Sequence, residues 1–310
     1  MGAWLFLSPG SEPSAAVAGD RVGVVAHRGA GGGASPVDRP PENSLAACQW
    51  GWARAPWVEC DVMLSGDGAV VSTHDFSTKR FADRDVVVTE SSLETLQELD
   101  MGSWKDPRWK GTRISTLGEI LEAMPADRGI VIEIKSGPEA AAPVAKAIAS
   151  AGVRPDQVMI ISFNLDTMRA VKQKCPGVST MWLMSFKHEV RGEDTKTWTV
   201  SWRTGPGRGV SRKSVADIDA LVATAVQEGF DGLDTTVAQP PGLTSRLSAA
   251  GLFHGVWTIN DPGVAVRLAR SGVNEITTDH PEAIREALAD AGFEVGRWNR
   301  RREIPPGTDE

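Results

Sequence analysis

Two rhythms of apolar residues take turns along this chain. Compact runs rich in Val, Ile and Leu, short enough to be buried strands, begin near Val22, Val58, Ile130, Val158, Thr180, Gly232, Val256 and Glu275. Between them apolar residues recur at helical spacing, as at Leu117, Ile120, Leu121 and Met124. The pattern predicts helices over Glu42–Arg54 (capped by Asn43 or Ser44), Thr116–Met124, Glu139–Ala151, Leu165–Lys174, Val215–Glu228, Gly242–Ala250, Gly263–Ser271 and Pro281–Ala291. Eight strand-then-helix units predict an α/β fold of the (β/α)8 TIM-barrel type, one domain over residues 21–292. An open doubly wound sheet would need a glycine-rich turn that opens a helix, and Gly29 to Gly33 opens none at the required spacing.

The rhythm fails in five places. Residues 1–20 are rich in Pro, Gly, Ser and Ala and read as a mobile extension, and 293–310 as a polar tail. Ala30 to Pro41 is a Gly/Pro loop, and Ser185 to Arg212 reads as a long polar loop. Residues 76–112 are irregular apart from a short helix near Leu93 to Leu99, an excursion inserted after the second strand.

The stretch from Trp57 to Asp75 carries the densest chemistry. Two apolar runs flank Ser65-Gly66-Asp67-Gly68, a turn signature joining antiparallel strands. Glu59 and Asp61 stand two residues apart, so their carboxylates leave one face of a strand while Val58, Cys60 and Val62 leave the other. A turn centred on Gly66-Asp67 would set His74 opposite Glu59, and a one-residue shift opposite Asp61. Carboxylates and an imidazole converging at a strand end suit a hard divalent cation beside a general acid or base. An alternating strand with a solvated acidic face would look the same over these residues alone. Glu133 and Lys135 repeat the two-residue spacing, and His27, Arg28 and Trp257 also fall at strand ends, where barrels of this type keep their function.

Composition narrows the classes. A net charge of −7 without a long Lys/Arg run speaks against nucleic-acid binding, and an anionic substrate would need placed cations or a metal. Cys48, Cys60 and Cys175 have neither metal-ligand spacing nor a disulfide framework and read as buried thiols. No run is long enough for a transmembrane segment. Ala16-Val17-Ala18 after the apolar Trp4–Leu7 resembles a signal-peptidase site but lacks a basic leader, so the expectation is cytoplasmic, or exported if the N-terminus is a truncated signal peptide.

The segments AHRGA, PENSLAA, VECDV, GDGAVVSTHD, STLGEIL, VIEIKSG, VWTIN and ITTDHPE, in this order from Val22 to Ala291, resemble the glycerophosphodiester phosphodiesterase family. The resemblance implies metal-dependent hydrolysis of a small-molecule glycerophosphodiester to glycerol 3-phosphate and an alcohol. It implies His27 and His74 as the acid/base pair, and Glu59, Asp61 and Glu133 as ligands of one divalent cation, Mg²⁺ or Ca²⁺. Arg28 and Lys135 would contact the phosphate, Glu42 and Asn43 bind substrate or brace the metal shell, and Trp257 pack against the glycerol. The loop Ala30–Pro41 and the segment Ser185–Arg212 depart from the family pattern and leave substrate choice open. An apolar rim from Phe186, Trp198 and Trp202 would favour a lysophospholipase D-like activity on single-chain lipids. A non-catalytic phosphate-binding barrel and a sugar-phosphate isomerase are the readings from other classes. The first is disfavoured by the two histidines, the second by the three carboxylates. Oligomeric state has no signal in the sequence.

Overall fold

The computed structural model describes residues 21–32, 35–191 and 195–297; the expected extension at 1–20 and the last part of the tail, 298–310, lie outside them. Strand β1 (Arg21–Ala26) is buried from Val22 onward and delivers His27 and Arg28 at its end. Helix α1 (Leu45–Trp52) begins at Ser44, whose hydroxyl accepts the N–H of Ala47. Strand β2 (Trp57–Leu64) turns through Ser65–Ala69 into β3 (Val70–Ser72), pairing Val62 with Ser72 and Leu64 with Val70. This turn is centred on Asp67, not Gly66-Asp67. The ladder ends at Ser72, so His74 stands on the loop beyond it rather than across a strand from Glu59 or Asp61.

Helix α2 (Leu93–Gln97) lies within the excursion, where Phe81, Val88, Leu96 and Leu99 pack on Met63 and Val71 as a separate apolar cluster. Helix α3 (Leu117–Glu122) starts with a reciprocal capping box between Thr116 and Glu119. The alternation then becomes regular through β4 (Gly129–Ile134), α4 (Ala141–Ala151), β5 (Val158–Ser162) and α5 (Leu165–Lys174).

The expected polar loop from Ser185 to Arg212 is a three-stranded antiparallel sheet. Strand β6 (Ser179–Arg191) leaves the barrel and continues outward, and β7 (Thr195–Thr204) and β8 (Val210–Val215) fold back on it. The physical reason is period-two alternation in Thr197-Trp198-Thr199-Val200-Ser201-Trp202, whose small polar members disguise a strand. Val215 therefore closes β8, and α6 begins later than its apolar spacing implied, at Ile218 (Ile218–Gln227). The chain continues through β9 (Gly232–Thr236), α7 (Leu243–Ala249), β10 (Phe253–Trp257), α8 (Pro262–Arg270), β11 (Glu275–Thr278) and α9 (Pro281–Asp290). The expected polar tail begins with a two-residue strand, β12 (Glu294–Val295), on the outer end of β1.

Eight parallel strands close on themselves in the order β1, β11, β10, β9, β6, β5, β4, β2, with β2 returning to β1 through Val25–Trp57 and Ala26–Val58. This is the TIM-type (β/α)8 barrel. Alternation along each strand splits the core in two. Val58, Cys60, Val62, Ile130, Ile132 and Ile134 point outward and pack beneath the helices, while Val25, Trp57, Val131, Met159, Met181 and Leu183 fill the lumen. Complete burial of each such side chain contributes roughly 1.5–3 kcal/mol. The lumen alternation that begins with Trp57 and Val131 continues upward with charged residues, and there the site begins. All three cysteines are buried and free, and among the described residues no helix is long and apolar enough to cross a membrane.

Candidate active site

The parallel register of β2 and β4 sets Asp61 directly beside Glu133, with Glu59 one pleat below Asp61 on the same face. Ligand oxygens of Glu59, Asp61 and Glu133 all lie within 4.8 Å of one another. Three carboxylates this close and this buried cannot all keep their charge without cations. Burial first, and then the charge of Asp61, push Glu59 up to about 8, against the opposing pull of His27. Burial also raises Glu133, although Lys135 pulls the other way. Asp61 is the one held well below the usual carboxylate range: burial opposes its charge, but Lys135, Arg28 and His74 together with the Asn43 hydrogen bond outweigh it.

Lys135 donates to Glu133 Oε1 at 2.9 Å and sits 3.1 Å from Asp61 Oδ1. Arg28 Nε lies 3.4 Å from Asp61 Oδ2, and the Arg28 backbone N–H donates to Glu59 Oε2 at 2.8 Å. The buried Oε1 of Glu59 has no hydrogen-bond partner among the described residues. An orphaned carboxylate oxygen beside two further carboxylates fits a hard divalent cation bound by oxygen.

Strained backbone supports this cluster. Arg28 (φ 49°) and Asn43 (φ 60°) are the non-glycine residues with positive φ among the described residues, and each such conformation costs roughly 1–3 kcal/mol. Both are held by the cluster itself. Asn43 Nδ2 donates to Asp61 Oδ2 and its Oδ1 accepts the Asp61 N–H, each at 2.9 Å, while its own N–H donates to Arg28 O. Asn43 thus braces a carboxylate and leaves the helix cap to Ser44. Gly29 follows at φ 79°, where a Cβ would stand 2.5 Å from the backbone carbon of Ala47, which explains the glycine after His27-Arg28. Glu42 does not face the cluster. Its Oε1 accepts from Arg28 at 2.8 Å and from Arg80 at 2.7 Å, so it fixes both guanidinium groups.

Each of the two histidines has a carboxylate behind it. His27 Nδ1 lies 2.8 Å from Asp279 Oδ1, and Asp279 is itself held by the Gly32 N–H at 3.0 Å and Asn260 Nδ2 at 2.8 Å. Burial opposes a charge on His27, but the Asp279 hydrogen bond and Glu59 more than offset it, so its pKa is raised. Asp279 is correspondingly lowered, with the His27 bond overcoming burial. His74 Nδ1 lies 2.6 Å from Asp75 Oδ1, whose Oδ2 accepts from Arg80 Nε at 2.7 Å. In both cases Nδ1 is engaged and Nε2 is left for other work.

Trp257 closes β10 and meets Phe163 edge to face, with centroids 5.7 Å apart. Of the other histidines, His188 stacks on Trp198 along β6 rather than in a loop, His254 is enclosed between Thr235 and Thr244, and His280 precedes α9. A cavity of about 460 Å³ runs from His74, Glu133 and Lys135 outward to Phe76, Arg203 and Arg208. The sequence reading missed Asp75, Asp279 and Arg80. Asp75 directly follows His74 and Asp279 stands in ITTDHPE, so asking what orients each imidazole would have found the two carboxylates. Arg80 carries no local signal.

Known proteins share the sequence pattern and the fold. The family model described as the glycerophosphoryl diester phosphodiesterase family matches residues 27–283. A glycerophosphodiester phosphodiesterase of Bacillus subtilis is 28% identical over 285 residues, covering 85% of each chain. One of Caldanaerobacter subterraneus subsp. tengcongensis is 34% identical over 182 residues, covering 54% of this chain and 72% of that relative. Among solved structures, an Oleispira antarctica phosphodiesterase in complex with the product sn-glycerol-3-phosphate superposes with a TM-score of 0.68 at 25% identity, covering 86% of this chain and 96% of that one.

Proposed function

From the premise that the chain belongs to the glycerophosphoryl diester phosphodiesterase family and is a phosphoric diester hydrolase, we propose that it releases glycerol 3-phosphate and an alcohol by acid/base histidines beside one bound divalent cation. The observation that carries this reading is the meeting of two histidine–aspartate pairs, His27–Asp279 and His74–Asp75, with the three-carboxylate cluster at one barrel mouth. Glu59, Asp61 and Glu133 would hold Mg²⁺ or Ca²⁺, which when bound supplies positive charge to a phosphoryl oxygen as negative charge develops there.

The remaining chemistry belongs to the chain. Arg28 and Lys135, pinned by Glu42 and by Asp61 with Glu133, present their charges to the phosphate. A hydroxyl oxygen, from water or from the neighbouring glycerol hydroxyl, forms a bond to phosphorus while the bond to the leaving alcohol breaks. One imidazole takes the proton from the nucleophile and the other gives a proton to the alkoxide. His27, whose protonated form is favoured by Asp279, suits the donor role. Trp257, braced by Phe163, supplies an apolar wall for the glycerol. Residues 21–292 act as one barrel domain, with 76–112 as an inserted subdomain supported by its separate apolar cluster.

A single-chain lipid substrate has less support. Phe186 is 2% exposed, and Trp198 and Trp202 pack on the cluster beneath the β6–β8 sheet instead of offering an apolar rim. The test is product identity with glycerophosphocholine. Glycerol 3-phosphate and choline are expected; phosphocholine and glycerol as the products would overturn the reading.

A further inference from the structure

The β7–β8 turn is built to bring positive charge to the cavity beside the site. Its sequence, Thr204-Gly205-Pro206-Gly207-Arg208-Gly209, uses left-handed glycines at 205, 207 and 209. The tip is tied to the barrel mouth by backbone groups. Gly205 N–H donates to Asp166 Oδ2 at 2.8 Å and Gly205 O accepts from Asn164 at 2.6 Å. Gly207 N–H donates to Glu139 Oε1 at 2.9 Å, and Arg203 N–H donates to Phe163 O at 2.8 Å. The carboxylates of Asp166 and Glu139 are thus bonded to main-chain N–H groups of the turn, and Asp166 also to Arg169.

Arg203 and Arg208 are consequently left without a carboxylate partner among the described residues, unlike Lys213, which is ion-paired with Glu189. Both line the cavity. Arg208 lies over the Phe76 ring at 4.4 Å, and one guanidinium nitrogen of Arg203 donates to Arg208 O at 2.6 Å. In a chain of net charge −7, two adjacent uncompensated guanidinium groups facing a pocket form a local anion site. The same cavity is bounded at its inner end by His74, Glu133 and Lys135, so it continues the reaction centre.

We propose that Arg203 and Arg208 form a specificity subsite for a second anionic group, and that the preferred substrates are glycerophosphodiesters whose leaving alcohol carries a phosphate. The inference rests on the proposed reaction. In such a diester the glycerol arm is uncharged, so an anion reaching the arginines must belong to the other arm. A cationic head group such as choline meets repulsion there.

The test compares kcat/KM for glycerophosphoglycerol and for the same diester bearing a terminal phosphate monoester on its leaving glycerol, with glycerophosphocholine as a third substrate. The phosphorylated diester should be preferred by about tenfold or more, the size of one charge-assisted hydrogen bond. Arg208→Gln should reduce that preference about threefold, and adding Arg203→Gln should abolish it. Arg203 also holds the turn, so Arg208→Gln, checked by an unchanged melting temperature, is the decisive variant. A wild-type preference near one, or a preference untouched by Arg208→Gln, overturns the subsite while leaving the phosphodiesterase reading intact. Absence of turnover on all three substrates would bring down both.

Discussion

Two walls of the same barrel mouth are built on different principles. The wall from β2 and β4 takes its chemistry from register: Asp61 beside Glu133 and Glu59 one pleat down, with Glu59 bonded to the Arg28 backbone N–H, Asp61 to the Asn43 side chain and Glu133 to Lys135. The wall from β7 and β8 is an added sheet whose tip is tied down by side chains gripping backbone, and whose arginines reach into a cavity. The first arrangement tolerates almost no displacement, because each group is another's hydrogen-bond partner. The second leaves its charges free for a ligand. On the proposed reading, reaction chemistry sits on the rigid strands and substrate choice on the appended turn.

The sharpest break of this contrast is His27→Ala. Turnover should fall about 10²–10⁴-fold, with melting temperature and metal binding little changed; most activity surviving in a folded variant would remove His27 from the chemistry. Asp61→Asn should weaken divalent-cation affinity by at least about tenfold in a calorimetric titration, since even groups behind a metal ligand contribute that much. Unchanged affinity would sever the β2–β4 wall from the metal. Asp279→Asn tests positioning. The carboxylate raises the pKa of His27, so without it the limb of the pH–rate profile governed by His27 should move to lower pH, together with a loss of about tenfold in kcat. An aspartate that only held the fold would leave that limb in place.

The smallest effect on turnover falls outside both walls, on His254, whose burial lowers its pKa to about 3 from the ordinary 6.5. Between those values the unfolded chain binds the proton and the native one does not, so stability is lost as pH falls below about 6.5, on the order of 3 kcal/mol by pH 4. His254→Gln should flatten this part of the unfolding-versus-pH curve without altering the preference among diesters. An unchanged slope would mean that groups other than His254 set this pH dependence.

What could be read without coordinates follows the same division. The eight barrel strands and nearly all their helices were legible because compact β-branched runs and helical spacing report burial directly. Glu59, Asp61, Glu133 and Lys135 were legible because a two-residue step on a buried strand leaves few places to point. His74 was placed near carboxylates, but by the wrong ladder: the true partner is its neighbour Asp75, and the turn centred on Asp67 shifts the register. The β6–β8 sheet was hidden because small polar Thr and Ser alternate with its apolar positions, and the pairing that makes it a sheet is set by contacts across the chain. Arg203 and Arg208 gain meaning only once Glu139 and Asp166 are known to be bonded elsewhere.

The central claim is that the β2–β4 carboxylates hold a cation needed for diester cleavage. The most direct measurement is glycerol 3-phosphate release by metal-stripped protein, with Mg²⁺ or Ca²⁺ added back in parallel to wild type and to Asp61→Asn. The account predicts no release without metal, restored release in wild type, and little or none in the variant at the same ion concentration. Full release from stripped wild-type protein, or equal restoration of Asp61→Asn, would contradict it.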